Sequence, residues 1–462
     1  MVDSTQEPTG SDPILRRLVW LYFWLLIIEG ILRKWVVPEF STPLLLARDP
    51  VLIAIFVRAI IKGRFPTNGL VITTFVLGAL CLAVGTVVGP GGPMVAAYGF
   101  RASFLHLPLI FLIPQAFRRN DVMKMGKVMM YLAITMAPLM VLQFQASPEH
   151  ILNAGAGGVL GAQMPGAMNR IRPPGFFSFV TGAAEFISLV SAFVVYALIK
   201  RGAFKRELVF AAGFAVMISL AVSVSRSMLG AVAVVFLMLG VIAFYRPGIL
   251  GGVIGMLFSL GLILLVAMQF DIFSQGKEAF AARLSNTGDL DAGVLGTAMN
   301  WTDRVFGDYI GALKLLFETP VLGYGLGYGT NAGAQWVTGS LGFLLAEGEW
   351  SRLVLESGPI LGLATLILRV CYTLAVFFHA RRSVLAGEVL PMLLFGACVL
   401  LLFSGQFGQG TTMGFAVLGG GLVLAAGEED FQEIVPIDSQ FEERLPVRAR
   451  SAYAEYLHGT ES

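Results

Sequence analysis

Apolar runs of about 18 to 23 residues recur from one end of this chain to the other, each long enough to cross the hydrocarbon core of a bilayer. Inside a bilayer every backbone N–H and C=O needs a partner within the protein, so long uncharged runs mean helices. The composition agrees. Hydrophobic residues are 56% of the chain and charged residues 13%, about half the ~25% of a soluble domain. The expected fold class is all-α, a polytopic membrane helical bundle, and the length reads as one bundle rather than several soluble domains.

The spans fall at roughly 18–36, 45–62, 70–88, 99–117, 124–145, 177–199, 207–224, 227–245, 248–270, 354–378, 387–406 and 411–427, about twelve in all. Arg48, Asp49 and Arg58 crowd the second. With the N-terminus inside, one set of connections is basic: Lys62 and Arg64; Arg118, Arg119 and Lys124; Lys200, Arg201, Lys205 and Arg206; Arg246; Arg381 and Arg382. The positive-inside rule makes that set cytoplasmic. The expected organisation is a cytoplasmic N-terminus (1–17), nine helices (18–270), a large external loop (271–353), three helices (354–427) and a cytoplasmic tail (428–462). The expected location is the inner (plasma) membrane, with both termini cytoplasmic. Arg16 and Arg17 before an apolar stretch resemble a secretion signal, but Glu29, Arg33 and Lys34 follow without a small-residue cleavage pattern, so this is read as a retained first helix.

A net charge of +2 and the lack of a basic run give no sign of nucleic acid. Cys81, Cys371 and Cys398 lie far apart in apolar stretches and read as packing residues. The four histidines are scattered and no paired-aspartate motif occurs, so neither a metal site nor a cofactor is expected.

The most polar part of the chain runs from Asn300 to Gly358. Over Asp303 to Glu318 the residues Phe306, Tyr309, Ile310, Leu313, Leu316 and Phe317 share one helical face, with Arg304, Asp308, Lys314 and Glu318 opposite. Such a helix lies flat in the membrane interface. Pro320 ends it, and Gly323, Gly325, Gly327 and Gly329 then read as a flexible passage that bulky groups approach closely. Glu347, Glu349, Arg352 and Glu356 precede or open the next span.

Other charges face the same side. Arg226 in VSVSRSMLG sits between two apolar stretches, and a charge at membrane depth is a functional suspect. Arg172 in RIRPPGFFSF precedes the sixth span, Glu185 lies one to two turns inside it, and Arg101 in YGFRASF is read at an external helix start. Each also has a plainer reading: a surface pair of Arg304 with Asp308, a snorkelling Arg226, an interfacial Arg172 or a solvated glutamate cluster. Arginine is permanently charged and its planar fork suits phosphate oxygens, so a converging set would suit a lipid diphosphate.

Together, YGFR at 98–101, RPPGFFSF at 172–179, SRSMLG at 225–230, DRVFGDYIGALKLLFETPVLGYGLG at 303–327 and EGEWSRLVLESGPILG at 347–362 resemble the bacterial O-antigen ligase and polysaccharide polymerase (Wzy-type) superfamily. The resemblance covers roughly 98–360. It implies a GT-C-like fold, a polyprenyl-diphosphate-linked saccharide as donor, no metal, and arginines on the diphosphate. By position Arg226 and Arg304 match the family's arginines, with Arg172 a further candidate and Arg352, Glu356 and Arg101 in support. Ligases of the family carry a histidine eleven residues before the glycine matching Gly358, and Glu347 stands there, with Glu349 two residues on. That departure favours an exopolysaccharide polymerase, with Glu347 or Glu349 as the base. A ligase passing its glycan to another acceptor and a transporter or flippase for lipid-linked sugar are the alternatives. Membrane lipid, a flippase and a chain-length regulator are the expected partners.

Overall fold

The computed structural model describes residues 12–286, 306–340 and 342–427. Arg304, the tail 428–462 and the stretch 287–305 of the expected external loop lie outside the described residues. The described chain is helical, and its β-structure is a single isolated bridge between Pro165 and Ile171.

The α-helices of eight residues or more, in chain order, are α1 (Pro13–Ile31), α2 (Asp49–Ile61), α3 (Gly69–Val88), α4 (Gly92–Phe100), α5 (Leu109–Ala116), α6 (Arg119–Gln145), α7 (Val180–Ile199), α8 (Arg206–Ser223), α9 (Arg226–Tyr245), α10 (Leu250–Ala267), α11 (Asp271–Asn286), α12 (306–315), α13 (Asn331–Thr338), α14 (Glu349–Ala386), α15 (Leu390–Ser404) and α16 (Gly410–Gly427). Among the described residues eight are long and apolar enough to cross a membrane, or nine if a bent pair counts as one span. That pair replaces the expected span 99–117. Its arms, Gly92–Leu105 and Leu109–Ala116, meet at 48°.

Three other expected spans are helical but fall short. α1 carries Arg16, Arg17 and Glu29, α2 is 13 residues long and α15 is 15. α2 begins only at Asp49 because Arg48 and Asp49 turn into the protein. Arg48 reaches Glu29 at 3.3 Å and the Gly410 carbonyl at 2.6 Å, and Asp49 binds Arg101.

α7 and α16 form the middle of the bundle, each 89% buried over its most apolar window, whereas α10 is 11% buried and presents Phe258 and Ile254 outward as lipid-facing residues do. Close approach to α16 rests on its small residues, the usual device where lipid gives no hydrophobic drive between helices. A Cβ on Gly414 would stand 2.2 Å from Arg48 Nη1, and one on Gly421 2.4 Å from Ile113.

The basic connections gather at one end of the bundle. Arg119 and Lys200 both pair with Glu388, and Arg246 donates to the Leu385 carbonyl at 2.7 Å. The glycine passage 323–329, the loop 404–410 and the start of α14 gather at the other.

Candidate active site

At that second end α14 is two helices. Gly358, at φ 77° and ψ 174°, breaks the helix before Pro359, and the first arm (349–357) folds back along the second (359–386). A Cβ on Gly362 would stand 2.8 Å from the Cα of Val354 across the fold. Asp308 on α12 holds the start of the first arm, accepting from the amides of Trp350 and Ser351 at 3.0 and 3.2 Å and from the Ser351 hydroxyl at 2.6 Å. A carboxylate there satisfies otherwise unpaired N–H groups and meets the positive end of the helix. Asp308 is therefore a helix cap. Tyr309, Trp350 and Phe403 pack beside it with ring centroids 4.6 to 5.3 Å apart.

The fold-back closes a buried charge cluster. Arg352 donates to Glu349 through Nε at 3.0 Å and Nη2 at 2.9 Å, and to Glu356 through Nη1 at 2.7 Å. Arg369, from the second arm, donates to Glu349 at 2.9 Å and to the carbonyls of Leu401, Leu402 and Gly405. The amide of Phe407 adds a further bond to Glu349, and that of Gly329 one to Glu356. All four side chains are buried, with two positive and two negative charges. Each carboxylate oxygen already accepts a charge-assisted or backbone bond, so the cluster holds the chain together. Glu349, Arg352 and Glu356 thus come together as a lock, completed by Arg369. Arg369 carried a signal in the sequence as a charge inside an apolar span.

The glycine passage differs from its expected flexibility. Gly323, Gly325 and Gly327 have φ of 70°, 106° and 85°. Tyr324 and Gly325 donate their amides to the carbonyls of Leu355 and Glu356 at 2.8 and 3.0 Å. What approaches closely is the protein's own backbone: a Cβ on Gly327 would stand 2.2 Å from the Val95 carbonyl oxygen on α4. The passage is a wedge between α4 and the first arm of α14.

α8 ends at Ser223 and α9 starts at Arg226, with Val224 between them at φ 46° and ψ 33°. A buried β-branched residue in the left-handed region is an outlier, a strain of the kind that collects at functional sites. The Ser223 hydroxyl accepts from the Ser225 amide at 3.2 Å, and the Ser225 hydroxyl accepts from the Met228 amide at 3.4 Å. This turn sets Arg226 at the positive end of α9. Arg172 is half-buried and donates through Nε to the Pro165 carbonyl at 3.0 Å. Burial, and then the like charge of Arg226, hold its pKa below the ordinary guanidinium value. The two arginines, 54 residues apart in the chain, are therefore close enough for each to feel the other's charge.

Arg101 belongs elsewhere. It follows α4 on a π-helical turn (Arg101–Leu105), not at a helix start, and is buried against Asp49 at 2.5 Å and the Leu45 carbonyl at 2.7 Å. Asp49 also contacts His106 at 3.2 Å. Nearby, Arg33 pairs with Glu29, and Lys34 donates to the Gly175 carbonyl at 2.7 Å, so these buried charges fix the RPPGFFSF loop from below.

A cavity of about 260 Å³ opens among α7, α9, α15 and α16. Its polar lining includes Thr181, Glu185, Ser227, Ser404, Gln406 and Gln409. Ser227 follows Arg226 directly. Gln406 donates to the carbonyl of Glu347 at 2.6 Å, and Glu347 itself is exposed. The cavity thus borders the Arg226 turn through Ser227 and the Glu347 backbone through Gln406. Gln406 and Gln409 were not singled out in the sequence, where amides beside a glycine-rich turn look like ordinary loop residues. Comparison of the chain with protein-family models and with curated proteins found no match.

Proposed function

We propose that this protein polymerises polyprenyl-diphosphate-linked oligosaccharide repeats, as an inverting glycosyltransferase working at the outer face of the plasma membrane. On this reading the bundle is GT-C-like and reaches about twelve crossings when α1, α2 and α15 are counted. The observation that carries the reading is the Arg172–Arg226 neighbourhood. Like charges held together by a strained turn and a helix N-terminus suit an oxyanion better than they suit each other.

In the reaction, a hydroxyl of the acceptor saccharide attacks the anomeric carbon of the donor. The new carbon–oxygen bond forms as the bond to the diphosphate breaks, and the electron pair leaves with the diphosphate. Arg226 and Arg172, joined by Arg304, stabilise that charge. Glu347, exposed beside the cavity, takes the hydroxyl proton. Glu349 is the weaker candidate because its oxygens are committed to Arg352, Arg369 and Phe407. The exposed apolar side chains Phe306, Ile310, Leu313 and Phe317 of α12 and the residues after it suit contact with the lipid that carries the donor. A flippase that delivers the donor and a chain-length regulator are the implied partners.

The test is polymer formation by purified protein from a lipid-linked repeat, with and without excess chelator. The expected result is polymer in both, abolished by Arg226→Gln. Transport of the lipid-linked repeat without any new glycosidic bond would overturn the proposal in favour of a flippase.

A further inference from the structure

Glu185 is 6% exposed: its Oε1 accepts from the Thr412 hydroxyl at 2.5 Å, while its Oε2 has no hydrogen-bond partner. A buried carboxyl oxygen left unpaired costs about 1–3 kcal/mol, so a group that satisfies it is expected in the cavity it lines. From Glu185 the wall is polar up to the rim. Thr181 donates to Gln409 Oε1 at 3.2 Å, Gln409 donates to Gln406, and Gln406 donates to Glu347. The rest of the wall is small and apolar, with Ala184, Ala231, Gly396 and Ala397 leaving the space open.

We infer that this cavity is a monosaccharide subsite that takes one neutral pyranose ring. A pyranose has the same division, with hydroxyls around its edge and C–H groups on its faces. A hydroxyl can donate to Glu185 Oε2 while others meet Thr181, Ser404 and Gln409, and the ring face lies on the alanines. The volume is below the ~300 Å³ at which small-molecule pockets begin, which fits one ring and not two. No lysine or arginine is among the described lining residues, so a carboxylated sugar would bury an unpaired charge and is disfavoured. The assignment of this ring to the acceptor chain end, with its attacking hydroxyl toward Glu347, rests on the proposed glycosyl transfer. The subsite itself does not.

The experiment measures binding of methyl glycosides of neutral hexoses and of a hexuronic acid to the full-length protein in detergent, by calorimetry or saturation-transfer NMR, with no lipid present. At least one neutral glycoside should bind saturably, with the uronoside on the order of tenfold weaker or more. Ala397→Leu, which fills the cavity, and Glu185→Leu should each weaken binding on the order of tenfold or more, while Gly251→Ala, on α10 and outside the lining, leaves it unchanged. Gln409→Leu serves where either variant fails to fold. Absence of saturable binding by folded protein, as for a cavity that holds only water, overturns the inference. So does binding that all the cavity variants retain. Polymer formation without glycoside binding would sink the subsite alone, and glycoside binding without polymer formation would sink the polymerase alone.

Discussion

Arg369 Nη1 lies 2.9 Å from Glu349 Oε1, although the two residues stand 20 positions apart in α14. A straight helix would separate them by about 30 Å. The contact exists because the chain reverses at Gly358, so the charge pair reports the fold-back directly. The two arms, the glycine wedge and the loop 404–410 are then fastened by one buried cluster.

Removing Arg369 should therefore be severe. Arg369→Met leaves Glu349 with one cationic partner and uncaps the carbonyls of Leu401, Leu402 and Gly405. Breaking a buried pair in this way costs about 3–5 kcal/mol. Arg369→Lys should rescue little, because a single ammonium cannot span the partners that the planar fork reaches. Thermal unfolding in detergent checks both, and a lysine variant as stable as the parent would refute the fork argument.

Gly358 is the second point of failure. An alanine there would enter a region that is essentially glycine-only and costs other residues about 1–3 kcal/mol, and its Cβ would stand 2.2 Å from the Val321 carbonyl oxygen. Gly358→Ala is expected to lower the melting midpoint and loosen protection of the first arm in hydrogen exchange. Gly251→Ala is the control, since a Cβ there meets open space on α10. Its effect should be neutral or slightly stabilising, by up to about 1 kcal/mol.

Part of this was legible in the sequence. The run lengths gave the helices, and the charge asymmetry grouped their ends, because both follow from single-segment physics that holds wherever a chain meets a bilayer. The site was legible only in pieces. Arg172 and Arg226 stood out as charges at helix starts, but their proximity depends on how α7 packs against α9. Gly358 and Pro359 fell inside one expected span, 354–378, so Glu349 looked like an available base when the fold-back had committed it. Arg101 looked like a surface charge because nothing local shows that Asp49 turns inward to meet it. The cavity was invisible, since its polar wall comes from Thr181, Ser227 and the 404–410 turn, which meet only in the packed bundle.

The arginine pair makes a prediction that needs no lipid. Inorganic pyrophosphate should raise the melting midpoint of the parent protein, by an amount equivalent to about 2.7 kcal/mol at a hundred times its dissociation constant. Arg226→Gln and Arg172→Gln should each reduce that increment, and added salt should shrink it further as screening grows. An increment that is identical in the parent and both variants would place the anion elsewhere.

Glu347 and Glu349 should separate cleanly by what fails first. Glu347 is exposed and bonded to Gln406 only through its backbone carbonyl, so Glu347→Gln should fold like the parent and keep its pyrophosphate response. Its turnover should fall roughly 10²–10⁴-fold, the usual worth of a general base, with little change in KM. Glu349→Gln should instead lose stability, because the neutral amide leaves Arg352 and Arg369 short of a buried counter-charge. Melting curves and steady-state rates measured on the two variants side by side decide the matter. If Glu349→Gln melted like the parent but lost turnover while Glu347→Gln stayed active, the base would be Glu349, and its bonds to the two arginines would have to open during the reaction.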